Sequence, residues 1–426
     1  MADVSFDLTT AAGLTKPVFG KIVEARPPKN YKITNKVPFR ATLGEQLQEV
    51  VWLTDEWGVT LDAGAGEVYA LNDSVSAVSK KLNGSGAEVT LKTTVAMKLL
   101  AAAMGAGPKA FQSAVGALGT NMMRTMQKVI EIQTVWGSCT TGIGQISART
   151  VDSGTSQTFS ITAASWASGF WAGAENMYVD VYNDDSFVTK RNSSGTMKVT
   201  AVTPPSGATL GTVTFLGTEA EMDNIVADDV IVLRGGGTEG QVGLYTSASN
   251  SGTYLGISGA TYSQWAGNTF SCGSADLTWD KVEQGIGLAV GKGLEGDATL
   301  YVSTRTWGNL NTDLSALRAI DASYSMKQTE VGTSSIRYHS QNGMVTVEPY
   351  TFMKWGSALL LPENQDGQTY IERIGSSDIT FDIPDEGGKN MRIMDGNGVE
   401  FRAWTDQFCV NRAPSKCVVF TGIVNS

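Results

Sequence analysis

Residues 111–146 read FQSAVGALGTNMMRTMQKVIEIQTVWGSCTTGIGQI. Phe111, Val115, Leu118, Met122, Met126, Val129, Ile132 and Trp136 recur there at three- and four-residue steps. That period lines one face of an α-helix and predicts one over 109–136, about 42 Å long. A methionine-bearing stripe at this spacing is core packing. Three glycines among small hydroxyl residues follow, in VWGSCTTGIGQI at 135–146. Gly137 and Gly142 have the separation of a phosphate-binding loop, but Ile143 stands where such a loop needs lysine. The helix also precedes the glycines instead of following them. The glycines therefore mark a joint, with Gly137 expected as a left-handed helix cap.

Toward the N-terminus, Pro17, Pro27, Pro28 and Pro38 break any helix, so residues 1–43 are expected to be an extended arm. From Lys16 to Arg40 the arm is basic: Lys16, Lys21, Arg26, Lys29, Lys32, Lys36 and Arg40 face one acid, Glu24. Residues 44–60 read as a short mixed element. EVYALN (67–72) and AEVTLKTTV (87–95) alternate apolar and polar. They predict two strands of a long ribbon whose polar tip carries Lys80 and Lys81. An isolated hairpin is marginal in water, so such a ribbon needs something to lie on. Residues 44–95 form this extended loop, and 96–149 hold the long helix with its surroundings.

Toward the C-terminus, 150–235 contains QTFSIT, MYVDVY, MKVTAV, GTVTFL and VIVLR, short strands divided by turns. A small barrel or sandwich is expected. This segment holds ten acids and four bases. Residues 236–400 read as an α+β body. It includes a helix at 278–290 on Val282, Ile286 and Val290, a strand at 298–304, and a helix from 312 capped by Thr312 or Asp313. An Asn342–Gly343 hairpin follows. The last residues, 401–426, complete a strand-rich tail.

The inventory excludes much. A single histidine, His339, rules out a multi-histidine metal site. No Gly-x-Ser-x-Gly elbow accompanies it. Gly235, Gly237 and Gly240 spell a formal dinucleotide fingerprint, but no helix pattern follows and no acid stands at the ribose position. Asp184–Asp185, Asp228–Asp229 and Asp395 lack calcium-loop spacing and read as turn residues. Cys139, Cys272, Cys409 and Cys417 form no Cys-x-x-Cys, and reduced thiols in a cytosolic site of synthesis fit best. Cys409 and Cys417 flank a turn and can face each other, although two buried free thiols are the preferred reading. There is no apolar run long enough to span a bilayer and no secretory leader pattern. A net charge of −10 argues against a dedicated nucleic-acid reader. No catalytic, cofactor-binding or metal-binding constellation assembles.

The order of arm, ribbon, long helix ending in Trp-Gly, β-insert and α+β body resembles the major capsid proteins of tailed bacteriophages, of the Hong Kong ninety-seven type. The stretch 111–146 looks like that family's spine helix. WAGAENMYVDVYN (171–183) with DDVIVLRGGG (228–237) is similar to β-inserts of some members. TLYVSTRTWGNLNTDL (299–314) and GMVTVEPYTFMKWGSALLL (343–361) look like the axial domain and its return. The resemblance covers nearly the whole chain and implies an α+β capsid fold. It implies no enzymatic activity and no cofactor. The expected role is a shell subunit forming hexamers and pentamers of an icosahedral capsid around double-stranded DNA. Portal protein, and scaffold or decoration proteins, are expected partners. The expected location is the virion, after assembly in the host cytoplasm. Lys16, Lys21, Arg26, Lys29, Lys32, Lys36, Arg40, Lys80 and Lys81 are the expected assembly contacts, and the basic arm is expected to lie inward with a sequence-blind attraction to packaged DNA. The alternative is a carbohydrate-binding or adhesive surface protein, with Trp166 and Trp171 as sugar platforms.

Overall fold

A computed structural model describes residues 31–425, apart from 43–46, 62–65, 67, 85, 97, 99–107, 185, 194, 319–335, 365–366, 382–391 and 394–397. The long helix runs from Pro108 to Trp136. Proline suits the first helical position, because the amide it lacks would have no partner there. From Leu118 onward the stripe packs as its spacing demands. Leu118, Met122 and Met126 lie against Val95, Val399, Phe401 and Ala403 of a five-stranded sheet. Strand Gly398–Asn411 runs through that sheet. It pairs antiparallel with Ala87–Ala96, Ile371–Thr380 and Arg392–Ile393, and Phe39–Ala41 adds to Ile371–Thr380 in parallel.

Gly144–Ser153, Ser156–Ile161, Tyr178–Tyr182, Met197–Thr203, Thr212–Leu216 and Val230–Leu233 close a six-stranded barrel. Closure removes the edges that an open sheet would expose. Ile146, Phe159, Val179, Val199, Val213 and Phe215 are fully buried in its interior. The rings of Phe159 and Phe215 lie 5.7 Å apart. Side chains thus fill the barrel, which holds a core and not a ligand chamber. That core is continuous with Trp136, Tyr301, Tyr350 and Phe352, so the barrel is welded to the rest of the subunit.

The third layer is a six-stranded sheet. Its order is Thr269–Ala275, Val418–Ile423, Ala358–Pro362, Ala298–Val302, Met344–Pro349 and Ile336–His339. The two central strands are buried along their whole length, and ALLLP accordingly reads as an unbroken apolar run. Period two divides their side chains between two cores. Leu359, Leu361 and Tyr301 join the core shared with the barrel. Leu360, Leu300 and Val302 meet Val282, Ile286 and Ala289 of helix Trp279–Val290.

Several expectations are corrected. Residues 68–72 form no strand: Leu47–Trp52 pairs with Ser79–Gly84 instead, while Ala87–Ala96 belongs to the sheet on the long helix. Lys80 and Lys81 therefore sit in a strand, opposite Val51 and Val50, and not at a tip. The arm is not extended throughout, since Lys32–Lys36 is helical. The helix read from residue 312 begins at Thr304, and its continuation past 318 lies outside the described residues. Ser138, not Gly137, takes the left-handed conformation after the long helix. Gly137 is needed for closeness: a Cβ there would stand 2.2 Å from the Gln241 carbonyl oxygen. Asp229 is no turn residue. It is buried, and its carboxylate accepts two hydrogen bonds from Arg191 and one from the Val226 amide.

All four cysteines are buried and unpaired. Burial pushes the thiols of Cys409 and Cys417 up to about 12. The unfolded chain begins to lose these protons near pH 8.5, whereas the folded protein keeps them. Stability contributed by the two thiols is therefore complete below about pH 8.5 and lost as pH rises above it. Each should remove about 2 kcal/mol between pH 8.5 and 10. Urea unfolding across that range should show a flatter decline in a Cys409→Ala, Cys417→Ala variant; equal slopes would contradict the assignment.

Candidate assembly surfaces

Beyond the paired strands the loop continues as two limbs without a ladder. The Leu53 amide donates to the Val78 carbonyl (2.9 Å) and the Trp57 amide to the Val75 carbonyl (3.1 Å). Asn72 donates its amide to the Thr60 hydroxyl (2.7 Å) and its side-chain nitrogen to the Val59 carbonyl (2.9 Å). Spaced bonds of this kind hold two limbs alongside each other but give them no core. Val50, Trp52, Trp57, Val59, Leu61, Val68, Tyr69, Leu71 and Val75 are all exposed, with Leu61 at 92% and Trp57 at 69%. Scattered surface apolar residues are ordinary, but nine exposed among the described residues between 50 and 75 are a concentration that calls for a covering surface.

The other end of the ribbon is anchored within its own subunit. Leu82 is fully buried among Leu53, Tyr254, Ile257 and Trp265. The base of the ribbon thus finds the surface it needs within its own subunit.

The expected basic contacts divide. Lys16, Lys21, Arg26 and Lys29 lie outside the described residues. Lys32 and Lys36 reach Glu348 at 3.2 and 2.7 Å, and Arg40 pairs with Glu49 and Glu372. These three charges are neutralised by acids of the same chain. Lys80 and Lys81 are exposed on the ribbon.

Two buried groups escaped the sequence reading. Glu131, on the face of the long helix opposite the apolar stripe, is fully buried. It accepts hydrogen bonds from the Ile33 and Thr34 amides (3.1 and 2.9 Å) and the Tyr350 hydroxyl (2.6 Å). It thereby caps helix Lys32–Lys36 from across the core, a carboxylate on the positive end of a helix. Burial raises its pKa, against those hydrogen bonds. Lys354 is buried at the joint. Its ammonium donates to the Thr141 hydroxyl and the Gly142 carbonyl, both at 2.6 Å, and lies 4.1 Å from the centre of the Trp136 ring. Burial lowers its pKa.

Other candidates close. His339 is exposed on an edge strand. Trp166 and Trp171 are buried and stacked at 5.9 Å, so neither offers a sugar a face. Among the described residues no group of three or more His, Cys, Asp or Glu is placed to hold a metal, and no helix is long and apolar enough to cross a membrane.

No family model matches the chain, and no curated protein matches it by sequence. Solved structures do. The cyanophage A-1(L) capsid asymmetric unit aligns over 95% of both chains with a TM-score of 0.54 and 11% identity. Looser likenesses are a native GTA particle capsid (TM-score 0.47, 8% identity, 99% of this chain and 100% of that one) and Mycobacterium phage Bobi (0.44, 12%, all of both chains). The match extends over nearly the whole of both chains. The chain has the fold of a phage capsid protein.

Proposed function

We propose that the protein is a non-enzymatic shell subunit that assembles with copies of itself into the capsid of a tailed phage, around double-stranded DNA. The observation that carries this reading is the set of exposed apolar side chains along the loop, from Val50 and Trp52 through Trp57, Val59 and Leu61 to Val68, Leu71 and Val75. A heterologous contact repeated around rings of six and five would cover it in every copy. The Hong Kong ninety-seven arrangement of arm, extended loop, spine helix and axial domain, with the barrel as insert, fits the order of elements. The virion is its location, with assembly in the host cytoplasm. Portal, scaffold or decoration proteins are its further partners.

Within this reading Lys16, Lys21, Arg26 and Lys29 supply the inward, salt-sensitive attraction to DNA. Lys32, Lys36 and Arg40 serve the subunit's own packing, given their acidic partners. Sedimentation velocity and negative-stain microscopy of the purified protein should show rings or closed shells. Monomers alone at high concentration, with portal and scaffold proteins supplied, would refute the proposal.

A further inference from the structure

The base of the ribbon has two kinds of attachment. The apolar one, Leu82 in its pocket and Leu47 beside Phe408, fixes how closely the ribbon sits. Apolar contact is non-directional, so it leaves the ribbon's angle weakly determined. The second attachment is ionic and directional. Arg412 grips Glu49 with two hydrogen bonds, Nε to Oε2 at 2.8 Å and Nη2 to Oε1 at 3.1 Å. Arg40 bonds the same carboxylate and reaches Glu372 at 2.7 Å. Arg412 also bonds Glu372. Each guanidinium therefore touches both carboxylates, and each carboxylate both guanidiniums.

The four residues come from four segments. Arg40 is on strand Phe39–Ala41, Glu49 on the ribbon, and Glu372 on Ile371–Thr380. Arg412 follows strand Gly398–Asn411. Planar two-point Arg–carboxylate pairing constrains orientation as well as distance. Glu49 is the ribbon's contribution, and it stands directly across from Leu82. The ribbon is thus pinned by apolar contact from both strands, through Leu82 and Leu47, and by charge from one, through Glu49. The Arg412 hydrogen bonds chiefly hold the Glu49 carboxyl below its ordinary pKa.

We propose that the Arg40–Glu49–Arg412–Glu372 quartet is a positioning device that sets the angle at which the loop leaves the subunit, and through it the angle between neighbouring copies in the shell. The second half of this rests on the proposed function; the first half does not. All four side chains retain some solvent access, so salt should loosen the device.

The test uses the whole chain. Hydrogen exchange is measured on unassembled subunits for the ribbon amides, residues 47–52 and 79–84, with barrel strand Ser156–Ile161 as internal control. Glu49→Gln keeps the shape and removes the charge. It should speed ribbon exchange about tenfold and leave the barrel unchanged. Raising salt from about 0.1 to 1 M should act on the wild type in the same direction and have less effect on the variant. Arg412→Met, which leaves two carboxylates sharing one guanidinium, should exceed Glu49→Gln. If it fails to fold, Glu49→Gln and the salt series decide alone.

Unchanged ribbon exchange in Glu49→Gln overturns the device. Faster exchange with wild-type shell diameter by electron microscopy overturns its control of the angle between copies. Faster exchange with a shifted diameter, or a mixed population of diameters, supports both halves. Wild-type protein that forms no shell removes the assembly reading, while the exchange result still decides the pinning of the ribbon.

Discussion

Serine in place of Trp57, Leu61 and Leu71 together should abolish shell formation and barely change the stability of the isolated subunit. All three side chains are mostly exposed on the far limbs of the loop. Surface substitutions away from structural features typically change stability by about 0.5 kcal/mol or less, and most of the side-chain surface the serines remove is already in water. A copy that covers the patch behaves differently. Fully burying one large apolar side chain contributes about 1.5–3 kcal/mol, and aromatic anchors at interface centres contribute most. Losing three from each repeated contact should weaken that contact by roughly a thousandfold or more, at about 1.4 kcal/mol per factor of ten. The measurement is paired: chemical unfolding of the subunit, and shell yield by sedimentation at matched concentration. A large loss of subunit stability with normal yield would mean that the loop folds back on its own chain, and the assembly role would fail.

The same loop explains where sequence reading stops. The period of the long helix was legible because its partners, Val399, Phe401 and Ala403, lie within the chain and demand one apolar face. The alternation at 67–72 obeyed a pattern of the same strength, yet Val68 and Leu71 are solvent-exposed and form no strand. Alternation records that side chains will be covered, not by what; a partner outside the chain writes the same letters as a core. Strand register failed for a related reason. Ala87–Ala96 found its ladder on Gly398–Asn411, some three hundred residues away, and local spacing carries no trace of that partner.

Charge was the least legible property. The basic run could be read, but Lys32, Lys36 and Arg40 are neutralised by Glu348, Glu372 and Glu49, two of which lie far along the chain. Glu131 stands on the polar side of the helix, opposite the apolar stripe, with no local sign that it will be buried and cap a helix beginning near residue 32. The inference that the 135–146 stretch is a joint stands on its own residues. What locks the joint does not, because Lys354 arrives from 212 residues beyond Gly142.

That joint carries the largest effect expected on subunit stability. Trp136 is the last residue of the long helix. Its ring stacks on Tyr245 at 4.6 Å and meets Phe170 edge-on at 6.2 Å. Its indole N–H donates to the Phe352 carbonyl at 2.8 Å, and the Lys354 ammonium sits over its face. One side chain therefore joins the helix, the approach to the barrel and the segment leading into the central sheet. Trp136→Ala opens a cavity where close packing limits collapse, costing about 3–5 kcal/mol. It also strands a buried carbonyl, for roughly 1–3 kcal/mol more, and takes away the aromatic face beside a buried cation that has no carboxylate among its hydrogen-bond acceptors. The total is a large part of the 5–15 kcal/mol, roughly, that holds a typical protein folded. Trp136→Phe keeps much of the ring and loses the indole hydrogen bond, so its cost should be nearer 1–3 kcal/mol. Urea unfolding followed by near-ultraviolet circular dichroism should rank wild type, then Trp136→Phe, then Trp136→Ala. An alanine variant within about 1 kcal/mol of wild type would show that the site collapses on truncation and that the helix, barrel and sheet are held together elsewhere.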